Sequence, residues 1–168
     1  MLAIALLSLS TALIAYAAAS DLLTMKIPNW LSLALVAAFT IFSVLGELPW
    51  DEVLMHVAAG ALVLAICFGL FAFRWIGGGD AKLAAATALW LGFPSLLDYL
   101  LMVALAGGVL TVVILVMRAC PVPRFARAWS WLSRLYNRKS GIPYGVALAL
   151  AALIVFPHSR IWLATFGA

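Results

Sequence analysis

The sequence is poor in charge. Only 10% of its 168 residues are Asp, Glu, Lys or Arg, while 67% are hydrophobic. With a mean hydropathy of +1.19, the chain has too little polar surface to cover a soluble globule. Several stretches approach the roughly 20 apolar residues that a bilayer-spanning helix needs. We therefore expect an all-α, polytopic integral membrane protein, with residues 1–168 forming a single transmembrane domain.

Cysteine and histidine are also scarce. Cys67 falls within a predicted span and Cys120 at the end of another, so we do not expect them to pair. His56 and His158 are far apart and give no zinc-ligand spacing with the cysteines. We predict no disulfide, no metal site and no cofactor. The basic residues lie between apolar runs and form no stripe on a soluble face, so nucleic acid is not an expected partner.

Apolar runs interrupted by charges, proline and glycine predict six transmembrane helices. The first run ends in small residues like those of a signal peptide, but no Lys or Arg precedes it, so we expect it to be retained. The six spans are predicted at about residues 2–20, 28–46, 53–73, 80–97, 98–117 and 143–163.

A basic amphipathic helix is predicted between residues 121 and 141, on the cytoplasmic side between spans five and six. We expect it to lie on the anionic lipids of the inner leaflet, and direct binding of substrate is the alternative. Its apolar face would carry Phe125, Trp129, Leu132 and Tyr136, and its basic face Arg127, Arg134 and Arg138.

The charges sort by side of the membrane if each predicted span crosses once. Nine of the ten basic residues then lie in the loops after spans one, three and five, which predicts that this side is cytoplasmic. Of the six acidic residues, only Asp21 and Asp80 lie on that side, each at the end of a span. The other four are predicted outside: Glu47, Asp51, Glu52 and Asp98.

Inserting an ionised Asp into the hydrocarbon core costs about 2.5–3.5 kcal/mol, so a carboxylate at the end of a span suggests a functional role. If folding brings Asp21 and Asp80 together, their repulsion leaves the pair with one proton near neutral pH. Aspartic proteolysis uses such a pair: the ionised member activates water, and the protonated member hydrogen-bonds the scissile carbonyl. Alternatively, Asp80 caps a helix and Asp21 lies in the wetted interface.

Three motifs resemble those of the type IV prepilin peptidases. The run Gly77-Gly78-Gly79-Asp80 is a GxGD motif followed by Ala-Lys-Leu, and Asp21 with Ile27-Pro28-Asn29 is similar to the D…IPN motif. Ile142-Pro143-Tyr144-Gly145 resembles the Pro-(Phe/Tyr)-Gly element of the same family. By size, the chain resembles the short CpaA/TadV-like form found in tight-adherence (Flp) pilus systems.

The resemblance implies an aspartic endopeptidase of the bacterial inner membrane. Such an enzyme removes the short leader, a class III signal peptide, from prepilins at the cytoplasmic face, with Asp21 and Asp80 as catalytic pair. The chain lacks the four-cysteine zinc-binding insert of longer relatives, so N-methyltransferase activity is not expected. Supporting site residues implied by the motifs are Gly77, Gly79, Lys82, Pro28, Asn29, Pro143 and Tyr144.

Two points stay open at the level of sequence. Lys82 either reaches lipid headgroups or contacts substrate. The alternatives to a prepilin peptidase are another GxGD protease that cuts inside transmembrane helices, and a small transporter or secretion-complex subunit whose aspartates bind protons or partner helices. The oligomeric state is not predicted.

Overall fold

The computed structural model describes residues 1–46, 48–123 and 128–166, and most of these are helical. The described residues contain no strand, which confirms the all-α prediction. The helices are α1 (Leu2–Thr24), α2 (Asn29–Leu45), α3 (Trp50–Ala72), α4 (Gly78–Ala119), α5 (Ser130–Tyr136), α6 (Tyr144–Val155) and α7 (Arg160–Phe166), with a 3₁₀ turn at Phe156–His158.

Three of these helices, α1, α3 and α4, are long and apolar enough to cross a membrane. Helix α2 is apolar but has only 17 residues. The segment that contains α6 and α7 is bent by 49° where the 3₁₀ turn meets α7. The fold is therefore that of a helical membrane protein with three helices of spanning length, and six crossings remain a prediction.

Helix α4 is a 42-residue run that folds back on itself. Its helical geometry breaks at Gly92, where φ is 65° and ψ is 178°. Asp80 and Val103 line the same cavity, although a straight helix would separate them by about 34 Å. The run therefore forms two antiparallel arms, an N-terminal arm (residues 78–91) and a C-terminal arm (residues 93–119).

The turn within α4 corrects the predicted boundary between spans four and five. The sequence reading placed the break at residues 97 and 98 and put Asp98 in a loop, but Asp98 is helical and exposed. The break falls at Gly92 because glycine, without a Cβ, tolerates its positive φ. Pro94 then lies in the first turn of the following arm, where a missing N–H leaves no helical hydrogen bond unmade.

The N-terminal arm of α4 is the centre of the bundle, and every residue from 83 to 92 is buried. Its run of small side chains allows close helix packing. At Gly60 of α3, an added Cβ would lie 3.1 Å from Cβ of Leu89. The far end of the arm is fixed by His56, whose Nδ1 donates to the Leu89 carbonyl at 2.8 Å.

The amphipathic helix predicted between residues 121 and 141 is wrong in extent. Helix α5 has seven residues, with Trp129 as its N-cap and Arg138 in the turn that follows. The helix stops because residues 137–141 form a turn, in which the N–H of Ser140 donates to the Asn137 carbonyl at 3.0 Å. Residues 124–127, which include the predicted Phe125 and Arg127, lie outside the described residues.

Candidate active site

Asp21 and Asp80 come together at one end of the bundle. Asp21 lies in the last turn of α1 and Asp80 in the first turn of α4. Asp21 is buried, with 6% of its surface exposed, and Asp80 is partly buried. Ile27 contacts both Gly79, which precedes Asp80, and Gly145, whose N–H binds Asp21. The two aspartates therefore lie at the same end of the bundle.

Asp21 is held by the first turn of α6. The backbone N–H of Gly145 donates to Oδ2 of Asp21 at 2.7 Å. This N–H is available because the first turn of a helix leaves its donors without intrahelical partners. An added Cβ at Gly145 would lie 2.8 Å from the same oxygen and 2.7 Å from Cδ1 of Ile27, so only glycine allows this approach.

Asp80 turns back over the glycines that precede it. The N-cap of α4 is Gly77, in an extended conformation, so the alternative in which Asp80 itself is the N-cap is wrong. An oxygen of Asp80 lies 2.7 Å from the point that a Cβ on Gly77 would occupy. The carboxyl group also interacts with the Gly77 backbone N–H, as a third-position carboxylate does in a capping box.

The loop between α1 and α2 joins the surroundings of the two aspartates. Met25 ends α1 in the left-handed conformation, with φ at 57°, and this turns the chain back towards the bundle. Ile27 then contacts Gly145 and also Gly79, where an added Cβ would lie 3.1 Å from Cβ of Ile27. Pro28 follows as the N-cap of α2. Ile27 was part of a recognised motif, but its position between the two site helices was not predicted.

Lys82 and Asn29 form a bridge beside the site. Nζ of Lys82 donates to Oδ1 of Asn29 at 2.9 Å, an interaction that the sequence did not predict. Both residues are exposed, and both line a groove of about 820 Å³, which lies between α2, α3 and the N-terminal arm of α4. Neither aspartate lines that groove. Lys82 therefore joins the start of α2 to the start of α4 on a different side from the carboxyl pair.

The Pro143-Tyr144 element lies at the start of α6. Pro143 is buried and is the N-cap of this helix. Tyr144 crosses to the C-terminal arm of α4, where its hydroxyl fills the space that a Cβ on Gly107 would occupy. Tyr144 and Asp80 also line one cavity of about 250 Å³. The motif thus begins the helix whose first turn binds Asp21, and it places the ring of Tyr144 in the same cavity as Asp80.

Arg118 holds the loop that leads into this element. Its Nε donates to the Leu135 carbonyl at 2.8 Å, and its Nη2 donates to the carbonyls of Ser140 and Gly141 at 2.9 and 2.8 Å. In the sequence, Arg118 was interpreted only as one of the basic residues that indicate topology. Its three hydrogen bonds could not be predicted from its position at the end of an apolar run, because they depend on the path of the loop.

In the described part of the chain, no three His, Cys, Asp or Glu side chains come together in a way that would hold a metal ion. The chemistry that the described site offers is that of two neighbouring carboxyl groups, with backbone donors from the first turns of α4 and α6.

These features define a class: a helical membrane protein in which two carboxyl groups meet among helix termini. Residues 8–112 match the model of the Type IV leader peptidase family, and the chain belongs to that family. The matched range includes Asp21 and Asp80, and it ends before Pro143 and Tyr144.

Two relatives carry the name prepilin leader peptidase/N-methyltransferase. The protein of Aeromonas salmonicida (strain A449) is 29% identical over 139 residues, which cover 80% of this chain and 42% of the relative. That of Pectobacterium carotovorum subsp. carotovorum is 31% identical over 98 residues, covering 55% of this chain and 35% of the relative. The chain therefore spans about two fifths of the length of the curated relatives it matches. No solved structure matches it significantly.

Proposed function

We propose that the protein is a prepilin peptidase that cleaves the leader of a prepilin with water activated by Asp21 and Asp80. Family membership supports the class of reaction. The observation that carries the proposal is that two carboxyl groups far apart in sequence lie at the same end of the bundle. Ile27 contacts both Gly79, which precedes Asp80, and Gly145, whose N–H binds Asp21. A chain with six acidic residues in all has few carboxylates that could meet by chance.

The proposed mechanism uses one proton shared by the pair. The ionised carboxylate removes a proton from water, and the resulting hydroxide attacks the carbonyl carbon of the scissile peptide bond. The protonated partner donates to the carbonyl oxygen as the tetrahedral intermediate forms. When this intermediate collapses, the peptide C–N bond breaks and the leaving amine takes the proton that came from water. A site among helix termini favours this reaction because water reaches it more easily than it reaches the middle of a bilayer.

We also propose an orientation and a substrate. The bundle would cross the bacterial inner membrane six times with the aspartates on the cytoplasmic side, because nine of the ten basic residues lie in loops assigned to that side. A leader would then enter from the cytoplasm while the apolar helix of the prepilin stays in lipid. Flp-type prepilins are the proposed substrate, as the motif resemblance implies, and N-methylation of the product is not expected.

Neutral substitution of each aspartate tests the proposal. We expect Asp21→Asn and Asp80→Asn each to lower prepilin cleavage by at least about a thousandfold, as loss of a catalytic group does when two groups act as a unit. Each variant would be expressed with a prepilin, and the product followed by gel mobility and N-terminal sequencing. Asp98→Asn is the matched control, because Asp98 is exposed on the C-terminal arm of α4.

The outcomes separate the proposed function from its alternatives. Cleavage that persists in both Asn variants, at equal levels in the membrane, would overturn the catalytic role of the pair. A wild-type protein that leaves every prepilin intact would point instead to a transporter or a secretion-complex subunit. A product whose new N-terminus lies within the apolar helix would indicate a protease that cuts inside transmembrane segments.

A further inference from the structure

A second feature of the bundle is the groove of about 820 Å³ between α2, α3 and the N-terminal arm of α4. It extends along α2 from Asn29 in the first turn to Val44 in the last, which is about 22 Å at 1.5 Å per residue. Its volume lies within the roughly 300–1,000 Å³ of sites that bind small molecules. The proposed chemistry does not use this groove, because neither aspartate lines it.

Most of the groove is apolar, and its edges are open. Leu33 and Val44 of α2 and Leu64 of α3 line it and are exposed. In a membrane protein, exposed apolar edges of this kind face the acyl chains of the bilayer. An occupant can therefore enter the groove from the lipid without the separation of any two helices.

Hydrogen-bond donors are concentrated at one end of the groove. Nζ of Lys82 donates to Oδ1 of Asn29 there at 2.9 Å, and this bond uses one of the three donors of the ammonium group. Helix α2 begins at the same place, and no side chain caps its first turn. The first N–H groups of a helix have no intrahelical partners and favour an anion. This end of the groove is therefore cationic and rich in donors.

Ser32 independently indicates a ligand at this end. It lies one turn beyond Asn29 on α2 and lines the groove, and it is buried, with 8% of its surface exposed. Its Oγ has no hydrogen-bond partner in the described part of the chain. The hydroxyls of Thr40 and Ser43, further along the groove, donate to carbonyls of α2 itself. A buried hydroxyl without a partner is costly, and an acceptor on a ligand beside Ser32 removes that cost.

The order of these groups along the groove matches that of an anionic phospholipid. A phosphate accepts charge-assisted hydrogen bonds from an ammonium group and from the N–H groups at a helix N-terminus. The ester carbonyls of a phospholipid follow the phosphate, as Ser32 follows Lys82 and Asn29, and the acyl chains come last. A transmembrane peptide helix matches less well, because its backbone acceptors are already bonded within the helix.

We propose that the groove binds one anionic phospholipid, with its phosphate at Lys82, an ester carbonyl at Ser32 and an acyl chain along α2. The inference goes beyond the proposed function, because the groove lies on a different side of the bundle from the carboxyl pair. The lipid joins the start of α2 to the start of α4 and reinforces the bridge between Lys82 and Asn29. The competing occupant is the apolar helix of a prepilin, which the experiments below distinguish.

The headgroup is tested by native mass spectrometry of the purified, delipidated protein. The protein would be titrated with dioleoyl phosphatidylglycerol or dioleoyl phosphatidylcholine, which carry the same chains and a phosphate but differ in net charge. We expect one site with at least about tenfold higher affinity for phosphatidylglycerol. Lys82→Gln should lose about tenfold of this affinity, as expected for loss of a hydrogen bond from a charged donor.

Lys139→Gln is the matched control for the headgroup, because Lys139 is exposed and does not line the groove. It makes the same change in net charge and should bind phosphatidylglycerol as the wild-type protein does. Equal affinity for the two lipids, or equal losses in Lys82→Gln and Lys139→Gln, overturns the inference.

The path of the acyl chain is tested by filling the groove from α3. Ala61 lines the groove and Ala58 does not, and both are exposed. Ala61→Phe should weaken binding of phosphatidylglycerol by about tenfold, the effect of overpacking an occupied site, and Ala58→Phe should leave binding unchanged.

Ser32→Ala keeps this test decisive if Ala61→Phe does not accumulate in the membrane. It should weaken lipid binding by about threefold or more. The delipidated Ser32→Ala protein should melt no lower than the wild-type protein, because the change removes a hydroxyl that has no partner among the described residues. Unchanged lipid binding in a folded Ala61→Phe protein, or in Ser32→Ala, overturns the inference.

A prepilin added as a competitor distinguishes the two occupants. The test would use Asp80→Asn, so that the prepilin stays intact, and it measures binding alone. We expect phosphatidylglycerol to stay bound when the prepilin is added. Release of the lipid by the prepilin, together with loss of prepilin binding in Ala61→Phe, would assign the groove to the substrate and overturn the inference. A lipid site found in a protein that cleaves no prepilin would support the inference while the proposed function fails.

Discussion

At the scale of single residues, the site depends on close contacts that leave no room for a methyl group. The clearest case is Gly107 on the C-terminal arm of α4, which is buried against the hydroxyl of Tyr144. The next residue, Gly108, is exposed, and an added Cβ there would meet nothing within 4 Å. The two glycines are therefore a matched pair for the same substitution.

We predict opposite effects of alanine at these two positions. Gly108→Ala should raise the free energy of unfolding by up to about 1 kcal/mol, the gain in helix propensity. Gly107→Ala should gain the same helix propensity, but overpacking against Tyr144 should lower the free energy of unfolding by about 1–3 kcal/mol. The net result should be a loss of stability. Thermal unfolding in detergent would measure both changes.

The cause assigned to the Gly107→Ala defect can be checked separately. Tyr144→Ala removes both the hydroxyl and the ring carbons that fill the space beside Gly107, so Gly107→Ala should cost less stability in that background than in the wild-type protein. If no such recovery is seen, or if Gly107→Ala and Gly108→Ala have similar melting temperatures, the contact between Gly107 and Tyr144 does not limit stability as predicted.

The pairing of Asp21 and Asp80 could be predicted, because sorting a small number of charges along an apolar chain leaves two carboxylates together. Their immediate contacts could not. The bond from Gly145 to Asp21 and the position of Ile27 depend on the depth at which one helix packs against another. Motifs and hydropathy do not encode that depth.

At the scale of secondary-structure elements, Arg118 connects the last turn of α4 to the start of α6. Its three hydrogen bonds fix the carbonyls of residues 135, 140 and 141, only a few residues before Gly145 donates to Asp21. Bonds from a charged donor contribute roughly 1.5–3 kcal/mol each. The loop is therefore held in one conformation at the point where it sets the position of α6.

We predict that Arg118→Lys lowers prepilin cleavage by about tenfold or more. Lysine keeps the charge but lacks the planar fork that reaches several carbonyls at once, so α6 should lose its fixed position relative to Asp21. Cleavage rate and protease sensitivity of the 136–143 loop would be measured together.

Arg138→Lys is the matched control for this substitution. Within the described part of the chain, the Arg138 side chain makes one hydrogen bond, to the carbonyl of Arg118, which is 3.5 Å long and correspondingly weak. An equal loss of cleavage in both variants would indicate that any Arg-to-Lys change at this end of the bundle is harmful. It would then give no support to a specific role of the Arg118 contacts.

The elements could be predicted more reliably than their ends. The apolar runs gave the positions of the spanning helices, because burial in lipid requires that length. The turn at Gly92 was placed too late because Asp98 was taken as a loop residue, and a single charge is tolerated on an exposed helical face. Helix α5 was predicted too long because its amphipathic pattern extends into residues that form a turn.

At the scale of the whole molecule, the N-terminal arm of α4 organises the bundle. Helices α2, α3 and α6 all pack against α4. The N-terminal arm has Asp80 at one end and the break at Gly92, beside His56, at the other. The candidate site is therefore formed by elements from most of the chain. Its geometry could not be predicted from any one motif.

The helices that begin at the site are short. Helix α2 has 17 residues and α6 has 12, so at 1.5 Å per residue they reach about 26 and 18 Å. The N-terminal arm of α4, residues 78–91, is shorter than α2. A typical hydrocarbon core is about 30 Å thick, so α2 falls short of it, whereas α6 is extended by the 3₁₀ turn and α7.

If α2 crosses the bilayer, as the six-span prediction requires, its shortness creates a hydrophobic mismatch, which lipids relieve by thinning around the protein. We predict faster prepilin cleavage in bilayers of short-chain (myristoleoyl) lipid than in long-chain (erucoyl) lipid, with equal rates for protein from either bilayer once it is returned to detergent. A rate that is independent of thickness, or greater in the thicker bilayer, would contradict this. The short helices would thus draw the headgroup layer inward and bring bulk water down to the two carboxyl groups.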